Sequence, residues 1–220
     1  MQKSGRKICK LQKILLNWAK NNLRKYEWRT TSDPYKILIS ELLLQKTDAK
    51  KVEQVYPKFV ECFPTVLDLH RANIKEVEEL IRDIGLFYRA QRIKKIAEQI
   101  KNEFSGKIPD SKNELISLHG VGDYISNAVL CFAFEERVPI VDTNVIRVYE
   151  RVFNLKSSKS RPRTDKKIWD FAEKILPLEK FVEYNYALLD FASSICRAKN
   201  PRCKMCPVNK TCRWQDKNFG

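Results

Sequence analysis

Four cysteines near the end of the chain, Cys196, Cys203, Cys206 and Cys212, are separated by six, two and five residues within one short basic run. Four thiolates converging from a single loop suit a cubane iron-sulfur cluster or a tetrahedral zinc, because both take soft anionic sulfur donors at short, constrained spacing. Three of the cysteines crowd the C-terminal half and the first stands apart, unlike the two matched pairs of most zinc ribbons, which favours a [4Fe-4S] cluster. Disulfides are the competing use of such a set, and they belong to oxidising compartments. The chain opens with a polar, basic heptad and no apolar signal segment, so a reducing, intracellular setting is expected.

The rest of the chain sets the partner and the fold class. Its 220 residues carry 42 Lys and Arg against 27 Asp and Glu, a net charge of +15. An excess this large points to a polyanion, nucleic acid first. A membrane surface fits less well, because no segment has the length of a spanning helix and the basic residues are spread along the chain. Only 6 Gly occur. Apolar residues recur at three- and four-residue spacing and alternating strand patterns are scarce, which predicts an all-α fold.

An amphipathic opening helix is predicted from Lys7 to Tyr26, carrying Leu11, Ile14, Leu15, Trp18 and Leu23 and interrupted near Asn21 and Asn22. Asp33 and Pro34 form a cap and first-turn pair ahead of a nearly all-apolar helix that must be buried. Further helices are predicted over 49–62, 65–69, 74–83 and 88–104, with breaks at Pro64 and Gly85. Ser111 and Glu114 read as a capping box opening a helix that ends at Leu118. The chain then turns through His119, Gly120, Val121 and Gly122 into a helix over 123–134, followed by helices over 142–153, 169–176 and 181–194 and a basic loop over 156–165.

Gly120 and Gly122 sit where the backbone must turn tightly between two helices, leaving amide N–H groups at the next helix N-terminus free to meet an anion such as a DNA phosphate. Taken alone, a glycine pair is as readily a plain turn. Twenty residues past Gly122 comes Val141-Asp142-Thr143, after a helix with Ile125, Val129 and Phe132 on its apolar face.

In this hairpin, the Val-Asp-Thr element and the terminal four-cysteine run, in that order, the chain resembles the helix-hairpin-helix DNA glycosylases of the endonuclease III and MutY type. The resemblance covers nearly the whole chain, and the cysteine spacing matches that family's [4Fe-4S] loop. It implies two helical lobes with the active site between them: residues 30–135 as a six-helix lobe with the hairpin, and a cluster lobe combining residues 1–29 with 136–220. His119 stands where relatives usually carry proline.

Bifunctional members begin the second hairpin helix with a lysine that forms a Schiff base with the sugar. Here that position is Tyr124, and a phenol cannot form an imine, so monofunctional base excision is expected. Asp142 lies at a predicted helix N-terminus, where the dipole favours its ionised form. As a fixed carboxylate it would stabilise oxocarbenium character on the sugar; read alone it is also a plain N-cap. Glu41 lies among Ile37, Leu38, Ile39, Leu42, Leu43 and Leu44, where desolvation favours the neutral acid that can protonate a departing base; a buried ion pair is the alternative. Glu41 and Asn144 match residues of both the adenine and the thymine mismatch branches, and Asn144 would orient water or sugar. Gln45 and Lys46, about one turn past Glu41, are the candidate wedge and partner-reading pair that fills the gap left by a flipped base. Phe87 and Tyr88 are candidates for stacking on neighbouring bases.

The catalytic set fits adenine opposite an oxidised guanine, or thymine and uracil opposite guanine. Lys46 and Tyr186 stand where the adenine branch usually has glutamine, and the chain ends at Gly220 without the further domain usual in that branch. The expected activity is therefore excision of thymine or uracil mispaired with guanine by an intracellular, nucleoid-associated monomer acting on double-stranded DNA. Adenine excision is the alternative. A non-enzymatic DNA-binding module is disfavoured by Glu41, since an acid in an apolar helix costs stability without a use. Cys9, Cys62 and Cys131 read as isolated thiols.

Overall fold

The computed structural model describes residues 2–85 and 88–216, with side chains from residue 5 onward. Phe87 lies outside the described residues. All regular structure among them is helical, as the periodicity predicts, and no helix there is long and apolar enough to cross a membrane. The chain forms two compact units, one of them Lys25–Glu136 and the other joining the N-terminal stretch through Arg24 to the chain from Arg137 onward.

The continuous unit starts at Lys25, ahead of the boundary after residue 29 read from sequence, because Tyr26 stacks on Trp28 at 4.4 Å and Trp28 meets Tyr56 edge-on. Helix α2 (Pro34–Leu44) begins where predicted: the Asp33 carboxylate accepts from the Tyr35 and Lys36 amides, and Pro34 occupies the first helical position. Every residue from Ile37 to Leu43 is buried, Glu41 included. Helix α3 (Ala49–Cys62) lays Val52, Val55, Tyr56 and Phe59 into the core. Capping boxes at Thr65 and Asn73 start two short helices, α4 (Val66–Arg71) and α5 (Ile74–Leu80). Then come α6 (Tyr88–Glu103), α7 (Lys112–Ser117) and α8 (Asp123–Ala133). Because α4 and α5 are separate, seven α-helices are described in this unit, besides two 3-10 turns, where the resemblance implies six. The box at Ser111 is half formed: its hydroxyl accepts from the Glu114 amide, while the Glu114 carboxylate takes the hydroxyl proton at 2.6 Å instead of capping the backbone. The apolar α2 packs centrally, against α3, α6 and α8.

In the second unit α1 (Gln2–Ala19) packs on α11 (Phe181–Ser194), which also meets α9 (Thr143–Phe153); α10 (Lys166–Ile175) adds a smaller face. Ile8, Leu11, Leu15 and Ala19 form the buried stripe of α1. That helix stops seven residues short of the predicted Tyr26. The Asn22 amide donates to the Trp18 carbonyl at 2.7 Å, and Arg24 is drawn off to the buried Asp190, donating to it from its backbone N–H at 2.8 Å and its Nε at 2.6 Å. A buried carboxylate needs such a partner. The buried Asn185 fastens the chain leading to α9, donating to the Val138 carbonyl at 3.1 Å and accepting from the Ile140 amide at 3.3 Å.

Candidate functional site

In the continuous unit the candidate residues lie at the end of α2 and around the α7–α8 hairpin. Glu41 is 5% exposed, in the middle of an apolar helix. The helix ends at a sharp turn in which Gln45 is half-buried and Lys46 is exposed with φ 55°, a left-handed conformation that non-glycine residues seldom adopt. Two arginines of α6 brace this turn. Arg89, 2% exposed, donates to the Gln45 carbonyl at 2.6 Å and the Thr47 hydroxyl at 2.7 Å, and burial holds its guanidinium below the usual arginine range. Arg92 donates to the Gln45 side-chain oxygen at 2.6 Å. Gln45 is thus a braced residue as well as an inserting candidate, which its sequence neighbourhood does not reveal.

The two hairpin glycines serve different ends. Gly120 has φ 77°, and a Cβ there would stand 2.7 Å from Arg92 Nε, so the fold itself demands glycine. Gly122, the N-cap of α8, has ordinary extended backbone, and a Cβ there would meet nothing within 4 Å. The fold leaves that space open, and the first amides of α8 face an end with no side-chain cap. His119 donates its backbone N–H to Gln99 Oε1 at 2.7 Å, a bond that proline could not make, so the departure from the family pattern is compensated by a tie to α6. Tyr124 follows as the second residue of α8, half-buried. Tyr88 is 45% exposed with the Arg92 guanidinium 5.5 Å from its ring centre.

In the discontinuous unit Asp142 is the N-cap of α9, as predicted. Its Oδ1 accepts from the Val145 amide at 2.7 Å and its Oδ2 from Asn144 Nδ2 at 2.6 Å, so both oxygens are held. Asn144 Oδ1 in turn accepts from Arg147 Nη1 at 3.0 Å, and Arg147 donates to the Cys196 and Ala192 carbonyls, both at 2.8 Å. A continuous polar chain therefore runs from the carboxylate to the first cysteine of the terminal loop. Sequence reasoning passed over Arg147, although its spacing of three residues from Asn144 on a helix places the two side chains together. Tyr186 is half-buried on α11.

The four loop cysteines are each half-buried, and Cys196, Cys206 and Cys212 pack against the core of this unit. Burial pushes the Cys206 thiol up to about 11, and the neighbouring Cys196, Cys212 and Cys203 add to the rise. Among the described residues no three His, Cys, Asp or Glu side chains converge tightly enough to hold a single metal ion. Arg151 organises the loop: it donates to the Arg197 carbonyl at 2.7 Å and the Ala198 carbonyl at 3.2 Å, reaches Cys196 Sγ at 3.5 Å and stacks over Trp214. Cys9 and Cys62 are exposed and Cys131 is buried, all three outside the loop.

The chain is similar to known proteins over nearly its whole length. The family model of the HhH-GPD superfamily base excision DNA repair proteins matches residues 39–174. The chain is similar to the thymine/uracil-DNA glycosylase of Pyrobaculum aerophilum, 38% identical over 97% of this chain and 95% of that one. It is likewise similar to the thymine-DNA glycosylase of Aeropyrum pernix, 40% identical over 94% of each. A solved thermostable thymine-DNA glycosylase superposes with a TM-score of 0.90 at 32% identity, covering 96% of this chain and 97% of that one. With the model spanning more than half its length and such relatives matching nearly all of it, the chain belongs to the HhH-GPD superfamily of base excision DNA repair proteins.

Proposed function

We propose that the protein is a monofunctional DNA glycosylase that extrudes thymine or uracil mispaired with guanine from double-stranded DNA and hydrolyses its N-glycosidic bond. The observation that carries the reading is Asp142. A carboxylate at a helix N-terminus, both oxygens held, is a preorganised negative charge for a sugar that becomes cationic as its bond to the base breaks. In the balanced step the C1′–N bond breaks with its electron pair going to the base, water oxygen bonds to C1′, and one proton reaches the base. Asp142 stabilises the cationic sugar, and Asn144, fixed between Asp142 and Arg147, orients the water or the sugar. Glu41, shielded from water, supplies the proton for the leaving base and is restored by the proton that the water gives up on bonding to C1′. Tyr124 offers no amine for imine formation, so strand cleavage does not follow through that position. The hairpin glycines and the uncapped amides of α8 grip a phosphate, while Gln45 and Lys46 address the gap and the orphaned guanine. The substrate choice rests on the similarity to thymine/uracil-DNA glycosylases along nearly the whole chain.

For the terminal loop, Cys196, Cys203, Cys206 and Cys212 would hold a [4Fe-4S] cluster. The donor chemistry fits: four cysteines on one loop, three of them packed against the core of their unit, and no competing His, Asp or Glu donor in their run. Bound there, the cluster would cross-link the loop and so present Arg197, Lys199, Arg202, Lys204, Lys210 and Arg213 to the DNA backbone. Anaerobically purified protein should contain about four irons per chain on this cofactor assignment, and stoichiometric zinc would correct it.

The functional test uses duplexes holding G:T, G:U or 8-oxoguanine:A, each with and without alkali. Excision from G:T or G:U, with strand breaks only after alkali, is expected. Activity at 8-oxoguanine:A alone would sink the substrate, no excision from any duplex would sink the activity, and breaks without alkali would contradict monofunctionality.

A further inference from the structure

Arg92 belongs to none of the motifs read from the sequence, yet it touches three surface features of the continuous unit at once. Its Nη1 donates to Gln45 Oε1 at 2.6 Å, its guanidinium lies 5.5 Å from the Tyr88 ring centre, and its stem lies so close to Gly120 that a Cβ there would meet Nε at 2.7 Å and Cδ at 2.9 Å. Its Nε is buried with no hydrogen-bond partner among the described residues, a cost the fold carries to keep the side chain where it is. A lysine could not do the same, because only a planar guanidinium can stack on a ring while donating sideways.

The contact also decides how Gln45 is presented. With its amide oxygen taken by Arg92, and no described residue accepting from its amide nitrogen, Gln45 offers outward a hydrogen-bond donor. Gly120 is part of the hairpin that meets the backbone phosphates, so a phosphate seated there and a donor poised at Gln45 are joined through one rigid side chain.

We propose that Arg92 is a positioning residue for base extrusion: it locks Gln45 as a donor toward the gap or the orphaned base and couples that pose to the hairpin and to Tyr88. The proposal rests on the DNA glycosylase reading above and adds the residue through which the inserting side chain is held.

The test reads base unstacking separately from excision, as the fluorescence rise of 2-aminopurine placed beside a G:U pair in a duplex. The variant Arg92→Met keeps the apolar stem against Gly120 and Tyr88 and removes the donor; Arg92→Ala is the second variant should the first fold poorly. Each should unstack the duplex about tenfold less well, the scale of one charge-assisted hydrogen bond, with duplex affinity retained. Combining either with Gln45→Ala should be no worse than Gln45→Ala alone, because the two residues act through one contact. Arg92→Lys should fail to rescue. Wild-type unstacking in the Arg92 variants, losses that multiply with Gln45→Ala, or a Gln45→Ala protein that unstacks normally would each overturn the proposal. A wild-type protein that unstacks G:U without excising from it would overturn the activity reading and leave this one standing.

Discussion

The two carboxylates assigned to the proposed reaction are held in opposite ways. Asp142 caps a helix, with its oxygens met by a backbone amide and by Asn144, which Arg147 backs. Glu41 lies at 5% exposure inside a helix whose other buried residues are apolar apart from Ser40. Asp142 is surrounded by hydrogen-bond donors, whereas Glu41 is flanked along its helix by apolar side chains. The proposed reaction uses both, Asp142 for the sugar and Glu41 for the departing base, so two groups of the same chemical class are distinguished by their surroundings.

Breaking the comparison at Asp142 should have the largest effect. Asp142→Asn keeps a good N-cap yet removes the charge, so single-turnover excision should fall by roughly 10²- to 10³-fold, with melting temperature and duplex affinity nearly unchanged. Activity at the wild-type level would show that Asp142 is only a cap. At Glu41 the isosteric Glu41→Gln should cost on the order of 10²-fold in excision with little change in stability, since the shape is kept and only the transferable proton is lost. A collapse in melting temperature with it would mean that Glu41 is structural.

Smaller effects sharpen the picture. Arg147→Met should lower excision by about tenfold, by freeing Asn144, and destabilise by about 2 kcal/mol through the lost carbonyl bonds. If only stability changes, the polar chain from Cys196 to Asp142 does not serve catalysis. The hairpin glycines should separate: Gly120→Ala, at positive φ and against Arg92, should cost about 1–3 kcal/mol in urea unfolding. Gly122→Ala should unfold within about 0.5 kcal/mol of wild type and lose affinity for duplex DNA. Equal stability losses would refute the division between a glycine the fold needs and one the ligand needs.

Much of this was legible in the chain because it is local. Asp33 and Asp142 cap helices as their positions foretell, and α3 and α11 span the predicted residues. Glu41 stood out because its neighbours are apolar, which is a local fact too. What escaped was set by partners distant in sequence. Arg24 ends the N-terminal segment by bonding to Asp190, Arg89 and Arg92 reach back to Gln45, and Arg147 reaches forward to Cys196.

By itself the sequence determined the all-helical fold, the hairpin, the cysteine loop and the two carboxylates, because periodicity, capping and ligand spacing act within a few residues. Only the tertiary structure decided which arginines brace the functional side chains. A guanidinium on a long stem finds its acceptors wherever packing brings carbonyls and amides within reach, and in the linear chain a bracing arginine is indistinguishable from the many that merely carry charge.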